Sequence, residues 1–235
     1  MLKFISGFLV LAALLSFACG GGDDQEPADA ADSSSSPAQG KDSNAKSTPT
    51  TEELEKIVNV EVPGFTALDP KATPFGATVV YRSEAKTAGE ANVQVLVSVA
   101  ACDPFICSKL DPDVYSSPEA QRNLKSSLST VHIENPDLQW DFGQVDLSPS
   151  AKGLYTYALS YVESKDSSGG TSRASANGYH AWYNDGRTYV SLEVFARGGS
   201  SPRSIAEVEG EMSRAEAEKA ANDIFAALEP AFRGR

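Results

Sequence analysis

Three cysteines are the residues whose type and spacing most directly suggest chemistry. Cys102 and Cys107 enclose four residues, so they lack the Cys-x-x-Cys spacing of a thioredoxin-like redox site. Under oxidising conditions, such as those outside the cytoplasm, we expect the two to form a disulfide that closes this small loop. Two free buried thiols are the alternative. Pairing them leaves Cys19 as the odd cysteine, available for a different reaction.

Cys19 follows an N-terminal segment with the pattern of an export signal. Lys3 precedes an apolar run from Phe4 to Phe17, and the small residue Ala18 comes next. The run is shorter than the roughly 20 residues that a transmembrane helix needs. We therefore expect residues 1–18 to be a signal peptide.

The Ala18-Cys19 pair after this run resembles the lipobox of bacterial lipoproteins, in which the cysteine thiol receives a diacylglycerol. Ser16 stands where that family usually has Leu, and Phe17 stands where a small residue is usual. Ser16 and Ala18 also fit ordinary signal cleavage, so a soluble secreted protein is the rival interpretation. The resemblance implies lipidation at Cys19 by fatty acids such as palmitate. It also implies anchoring in the cell envelope, at the outer membrane if the envelope has two.

A change in composition separates a tether from the region that can fold. The chain from Gly20 to Pro49 contains no Val, Ile, Leu, Phe, Tyr or Trp, so it cannot bury enough apolar surface to offset the entropy of ordering. We expect residues 19–50 to be a disordered, lipid-anchored tether. Apolar residues return at Leu54, and residues 51–235 are expected to form one globular domain.

Hydrophobic periodicity in this domain predicts the α+β class, with an antiparallel sheet of about six strands packed by two or three helices. Capping-box pairs, Thr50 with Glu53 and Ser213 with Glu216, mark the starts of the first and last helices. A third helix is expected over 118–128. The predicted strands are 77–82, 93–99, 138–147, 153–163, 173–183 and 188–196.

The order of these elements resembles PsbP-like domains, which bacterial lipoproteins of the LpqN kind also use. The resemblance covers about Val60 to Phe232 and rests on Val62-Pro63-Gly64-Phe65, the late long hairpin strands and the closing amphipathic helix. It implies a binding or assembly-helper domain without conserved catalysis.

Charge and motif content narrow the function classes. The formal net charge of −12 argues against nucleic acid as a partner, because phosphate binding needs a cationic surface. No Gly-x-Ser-x-Gly elbow is present, and the Ser-x-x-Lys match at Ser83 lacks its companion motifs. His132 and His180 are expected at a surface or an interface, since neither has a zinc-ligand set nearby. We expect no cofactor and no metal.

Three carboxylates near the cysteine loop belong to Asp103, Asp111 and Asp113. They could hold calcium, but without EF-hand spacing a solvated acidic loop is the favoured interpretation.

The strands 173–183 and 188–196 form a hairpin with one aromatic face. With a two-residue Asp185-Gly186 turn, Tyr183 would pair with Thr188 and Tyr179 with Leu192. A three-residue Asn184-Asp185-Gly186 loop is the alternative. The face opposite the aliphatic residues is expected to be partly accessible and to bind a small apolar ligand or a partner protein, unless a helix covers it. Its members are His180, Trp182, Tyr189, Ser191, Glu193 and Phe195.

A stripe of tyrosines on the preceding strand (Tyr155, Tyr157 and Tyr161) is interpreted as the edge of a core, with a recognition surface as the alternative.

The leading hypothesis is a membrane-anchored, non-enzymatic binding or envelope-support lipoprotein. The rival is a secreted hydrolase, which a pocket joining a histidine to a carboxylate and a serine would favour.

Overall fold

Seven strands form one antiparallel sheet, and three helices lie on one of its faces, in the part of the chain that the structure describes. The structure is a computed structural model and describes residues 49–73, 76–84, 91–102, 107, 118, 137–165, 167–197 and 202–233. The α+β class and the antiparallel sheet are confirmed, whereas the expected six strands are seven. The elements in chain order are α1 (Thr51–Val58), β1 (Phe65–Thr73), β2 (Gly76–Ser83), β3 (Asn92–Ala101), β4 (Gln139–Ser148), β5 (Ala151–Lys165), β6 (Thr171–Asn184), β7 (Thr188–Arg197), α2 (Ile205–Glu211) and α3 (Arg214–Arg233).

The strand absent from the sequence prediction is β1, at one edge of the sheet. Most of its side chains are exposed, so it has little of the apolar alternation that identifies a strand. Its pairing with β2 shifts between Leu68 and Lys71, and Asp69 adopts a φ of 43° there. Pro70, which has no N–H to donate, is tolerated because this strand has only one neighbour.

The order of strands across the sheet is β1-β2-β3-β7-β6-β5-β4. Chain neighbours pair as antiparallel hairpins in two groups, β1–β3 and β4–β7, and the groups meet where β3 pairs with β7. Because β7 lies at the centre of the sheet, its residues have strands on both sides. The hairpin face that the sequence predicts as a binding surface therefore lies at the middle of the sheet.

Helices cover the first face of the sheet, which we define as the side that carries Val79, Val97 and Leu192. These side chains are at most 1% exposed and pack with apolar residues of all three helices. In α3 the buried residues recur at three- and four-residue spacing, the pattern of a helix with one apolar stripe. They are Ala217, Ala220, Ala221, Ile224, Phe225, Leu228 and Phe232.

Both predicted capping boxes are present. The Thr50 hydroxyl accepts from the Glu53 N–H, and the Glu53 carboxylate accepts from the Thr50 N–H. Ser213 and Glu216 make the same reciprocal pair before α3. Helix α2 was not expected from the sequence, because its seven residues contain a single buried side chain and so carry almost no periodicity.

The β6–β7 hairpin has the predicted faces but a different register. Tyr183 pairs with Val190 and Tyr179 with Val194, two positions away from the expected partners. The difference arises in the turn, where the Asp185 carboxylate accepts hydrogen bonds from the N–H groups of residues 187 and 188. Both the two-residue and the three-residue turn predictions are therefore wrong. A shift of two residues preserves which side chains share a face.

Some predictions fall outside the described residues and stay predictions. They concern the signal peptide, Cys19, most of the tether, the helix over 118–128, His132 and the aspartates Asp103, Asp111 and Asp113. In the described ranges, no helix has the length and apolar character to span a membrane.

Candidate functional site

The second face of the sheet, opposite the helices, differs in chemistry from the first. Five of the six polar side chains that are buried in the described ranges lie on it. Such side chains are unfavourable in a face that serves only as core, because each buried polar group needs a hydrogen-bond partner. The five are Gln94, Thr156, Ser160, His180 and Ser191.

Cross-strand pairing places His180 at the centre of this face. It lies opposite Thr156 of β5 on one side and opposite Glu193 of β7 on the other. The next row contains Leu154, Trp182 and Ser191. Directly opposite side chains in such a ladder have Cβ atoms about 5 Å apart, so these groups are near neighbours.

Within the residues that the structure describes, the His180 side chain makes one hydrogen bond. Its Nε2 lies 2.7 Å from the Ser191 hydroxyl, and its ring centroid lies 4.0 Å from that of Trp182. Its other ring nitrogen, Nδ1, is buried without a hydrogen-bond partner in the described part of the chain. Burial lowers the pKa of His180 to about 3, so the ring is neutral at physiological pH.

Trp182 is buried, which corrects the expectation of a partly accessible surface. It is 6% exposed and clusters with Cys107, Leu154 and Tyr189. His180 is 4% exposed, so the expectation of a surface or interface histidine is also wrong at this position. The alternation of the hairpin shows which residues share a face, but it carries no information about what lies over that face.

Glu193 and Phe195 lie further along β7 on the second face and are only half-buried. Burial raises the pKa of the Glu193 carboxyl above its usual value. All six residues expected from the sequence to form this face therefore share one side of the sheet. The structure separates them into a buried group (His180, Trp182, Tyr189 and Ser191) and a more accessible pair.

The predicted pairing of Cys102 with Cys107 is present as a disulfide, with 5.8 Å between the Cα atoms. Cys102 directly follows β3, and its N–H donates to the Arg187 carbonyl at 2.8 Å. Cys107 packs beside Trp182 on the second face. The bond therefore ties a residue of the second-face cluster to the end of a central strand.

Thr156, Ser160 and Gln94 were not among the residues predicted to form the site. Thr156 lies between Tyr155 and Tyr157 on β5. The sequence prediction for this strand concerned the tyrosine stripe, which lies on its opposite side. The available signal was the alternation itself, because polar residues between apolar ones in a central strand must lie on a second packed face.

The tyrosine stripe lies on the first face and forms the edge of the core, as predicted. Tyr157 is 5% exposed within the main cluster, and Tyr155 packs against it. The Tyr155 hydroxyl donates to Asp141 at 2.7 Å and accepts from Arg214 at 2.7 Å. Arg214 also lies over the Tyr155 ring, with its guanidinium carbon 5.0 Å from the centroid. These hydrogen bonds and the arginine hold the pKa of Asp141 below its usual value, against the opposing effect of burial.

A separate groove of about 560 Å³ lies between β1 and the segment that links it to α1. Tyr81 lines its floor and lies 3.0 Å from the carbonyl oxygens of Val58 and Val60. Glu61 is the single ionisable carboxylate in its lining. The groove is thus lined mainly by β1 and by the linker that Tyr81 anchors, and it lacks the concentration of buried polar side chains that marks the second face.

Comparison with known proteins gives no further guide, since no family model, no curated protein and no solved structure matches the chain.

Proposed function

We propose that the chain is an exported, lipid-anchored, non-enzymatic binding protein of the cell envelope, and that its second face holds a small ligand. The anchor rests on the sequence, in which Cys19 follows the apolar run and precedes a polar tether. Binding rests on one observation: the concentration of buried polar side chains beside aromatic rings on the second face.

The burial of His180, Ser191 and Trp182 favours an enclosed small molecule over a protein partner. A docked protein needs a broad accessible patch, whereas a small ligand needs a few convergent polar groups among apolar ones. Membrane attachment through the N-terminal lipid would keep the binding domain beside the envelope.

Mass spectrometry tests the binding proposal on the full-length chain purified in mild detergent. We expect native spectra to contain a non-covalent adduct that disappears on denaturation. The variant Ser191→Ala, which removes only the hydroxyl beside His180, should lose most of the adduct. Ser148→Ala makes the same change at a half-buried serine at the end of the edge strand β4 and serves as the matched control. No adduct in any preparation from the native host would contradict the proposal.

Fatty-acid labelling tests the anchor separately. The wild-type chain should incorporate an alkyne-labelled fatty acid and sediment with membranes, whereas Cys19→Ala should do neither. Equal labelling and sedimentation of the two would contradict lipidation at this residue.

A PsbP-like domain remains our finer proposal for the fold. The antiparallel sheet and the closing helix α3 support it. A solved relative with the same strand order would test it.

A secreted hydrolase is the second candidate, supported by the 2.7 Å contact between Ser191 Oγ and His180 Nε2. A nucleophilic serine makes this contact with its general base, but Nδ1 of His180 lacks the carboxylate partner that orients the base. A fluorophosphonate probe distinguishes the two functions, because an activated Ser191 would be labelled and a binding residue would not.

A further inference from the structure

Glu193 is a half-buried carboxylate without a counter-ion in the described part of the chain. Arg82 and Arg197 lie on the same face, but neither forms an ion pair with it. Burial alone accounts for the shift in the pKa of Glu193, with no charged neighbour contributing. Such a carboxylate is unfavourable in a folded protein unless it meets a cation or a proton.

A second acceptor that favours a cationic hydrogen-bond donor lies on the neighbouring strand β6. His180 lies directly opposite Glu193, and its Nδ1 has no partner in the described residues. In the tautomer that carries the proton on Nε2, the ring donates to Ser191 and Nδ1 becomes a hydrogen-bond acceptor. Two unfilled acceptors, one of them anionic, therefore lie side by side.

Aromatic and charge properties of the surroundings also favour a cation. Phe195 lies two residues along β7 from Glu193, on the same side of the sheet, and Trp182 lies two residues along β6 from His180. Aromatic faces attract ammonium groups through the negative potential above the ring. The net charge of −12 raises the local concentration of small cations.

We propose that the ligand of the second face is a small primary ammonium compound with an apolar body. Its ammonium group lies between the Glu193 carboxylate and His180 Nδ1, and its apolar part lies against Phe195. This proposal rests on the proposed binding function and names the chemical class of its ligand. The half-buried position of Glu193 lets such a compound approach from solvent.

Calorimetric titration of the full-length chain in detergent tests the ligand class with two matched probes. These are 2-phenylethylammonium and its neutral analogue 2-phenylethanol, which share an apolar body and differ in the group at its end. A charge-assisted hydrogen bond contributes about 1.5–3 kcal/mol, so we expect the ammonium probe to bind about tenfold or more tightly. Equal affinity for the two probes, or no binding of the ammonium probe, would overturn the proposal.

The variant Glu193→Gln tests the counter-ion. It should lower the affinity for 2-phenylethylammonium by about tenfold or more while leaving the affinity for 2-phenylethanol within about twofold. Glu55→Gln makes the same charge change at an exposed position of α1 and should change neither affinity beyond about twofold. A similar loss in both variants would show that the effect is long-range charge, and the assignment of Glu193 would be wrong.

Glu193→Asp keeps the experiment decisive if the glutamine variant folds poorly. It preserves the charge on a shorter side chain, so preference for the ammonium probe should persist at reduced strength. The two proposals fail in different ways. A native adduct that proves to be uncharged would overturn the ammonium ligand and leave the binding function intact, whereas the absence of any adduct would contradict the binding function.

Discussion

The two faces of one sheet differ in what their side chains contribute. On the first face, strand residues such as Val97 and Leu192 are fully buried against helices, which is the ordinary source of folding free energy. On the second face, His180 and Ser191 are almost as deeply buried, yet burial of polar groups contributes little or is unfavourable. Burial alone therefore does not identify a core. Packing on the first face stabilises the fold, whereas we propose that the second face binds a ligand.

The largest contrast in stability should come from two phenylalanines, one in α3 against the first face and one on the second face. Phe225 is fully buried and in edge contact with Tyr183 at 5.0 Å, so Phe225→Ala should cost about 3–5 kcal/mol of unfolding free energy. Phe195 is half-buried on the second face, and Phe195→Ala should cost about 1 kcal/mol. Urea denaturation measures both. Equal losses of unfolding free energy in the two variants would contradict the proposed difference between the faces.

Acid should destabilise the protein through His180. Its folded pKa of about 3 lies below the ordinary 6.5, so below pH 6.5 the unfolded chain binds the extra proton. The stability from neutral His180 is present above pH 6.5 and is lost as pH falls toward 3, by about 3 kcal/mol at about pH 4.

Glu193 affects the pH dependence of folding stability in the opposite direction to His180. Its raised folded pKa means that the folded state binds the proton more tightly, so its contribution to stability increases as pH falls through that pKa. Comparing Glu193→Gln with the double variant Glu193→Gln/His180→Gln isolates the histidine. Parallel pH profiles for the two would show that His180 is not buried as described.

Removing the disulfide should have a moderate effect. The entropic model assigns about 2 kcal/mol to closing so short a loop, so Cys102→Ser/Cys107→Ser should lower the melting temperature accordingly. Scanning calorimetry with and without a reductant measures it. If reduced wild type and the double variant melt like the oxidised protein, the bond contributes no stability.

The smallest effect is expected at the exposed margin of the first face. Arg214 and Asp141 pair 2.5 Å apart, but each side chain is 41% exposed, so solvent weakens their attraction. Arg214→Gln and Asp141→Asn should each cost about 1 kcal/mol or less, with a coupling no larger than that in a double-mutant cycle. A coupling of several kcal/mol would mean that this pair is part of the core.

Much of the fold could be predicted from local patterns in the sequence. The stripe of α3 and the capping boxes are short-range features, and so is the alternation of β6 and β7, which placed His180 and Trp182 on one face. β1 could not be predicted because an edge strand with exposed side chains has no periodic apolar signal.

The burial of the candidate site and the pairing of its residues depend on contacts between segments that are distant in sequence. Alternation assigned Glu193 to the same face as His180, but only the register of β6 with β7 makes them direct neighbours. That register was set by the Asp185 hydrogen bonds in the turn, which dipeptide preferences did not reveal. Likewise, the burial of Trp182 depends on segments distant in sequence, such as the one that carries Cys107.

We propose that the second face is retained for binding at some cost to stability. Chemical denaturation of wild type and Glu193→Gln, each with and without 2-phenylethylammonium, tests this proposal. Without the probe, we predict that the variant is at least as stable as wild type, because an unpaired buried charge has been removed. With the probe at about 100 times its Kd, wild type should gain about 2.7 kcal/mol and the variant much less. A variant that is less stable than wild type but gains as much from the probe would contradict the account.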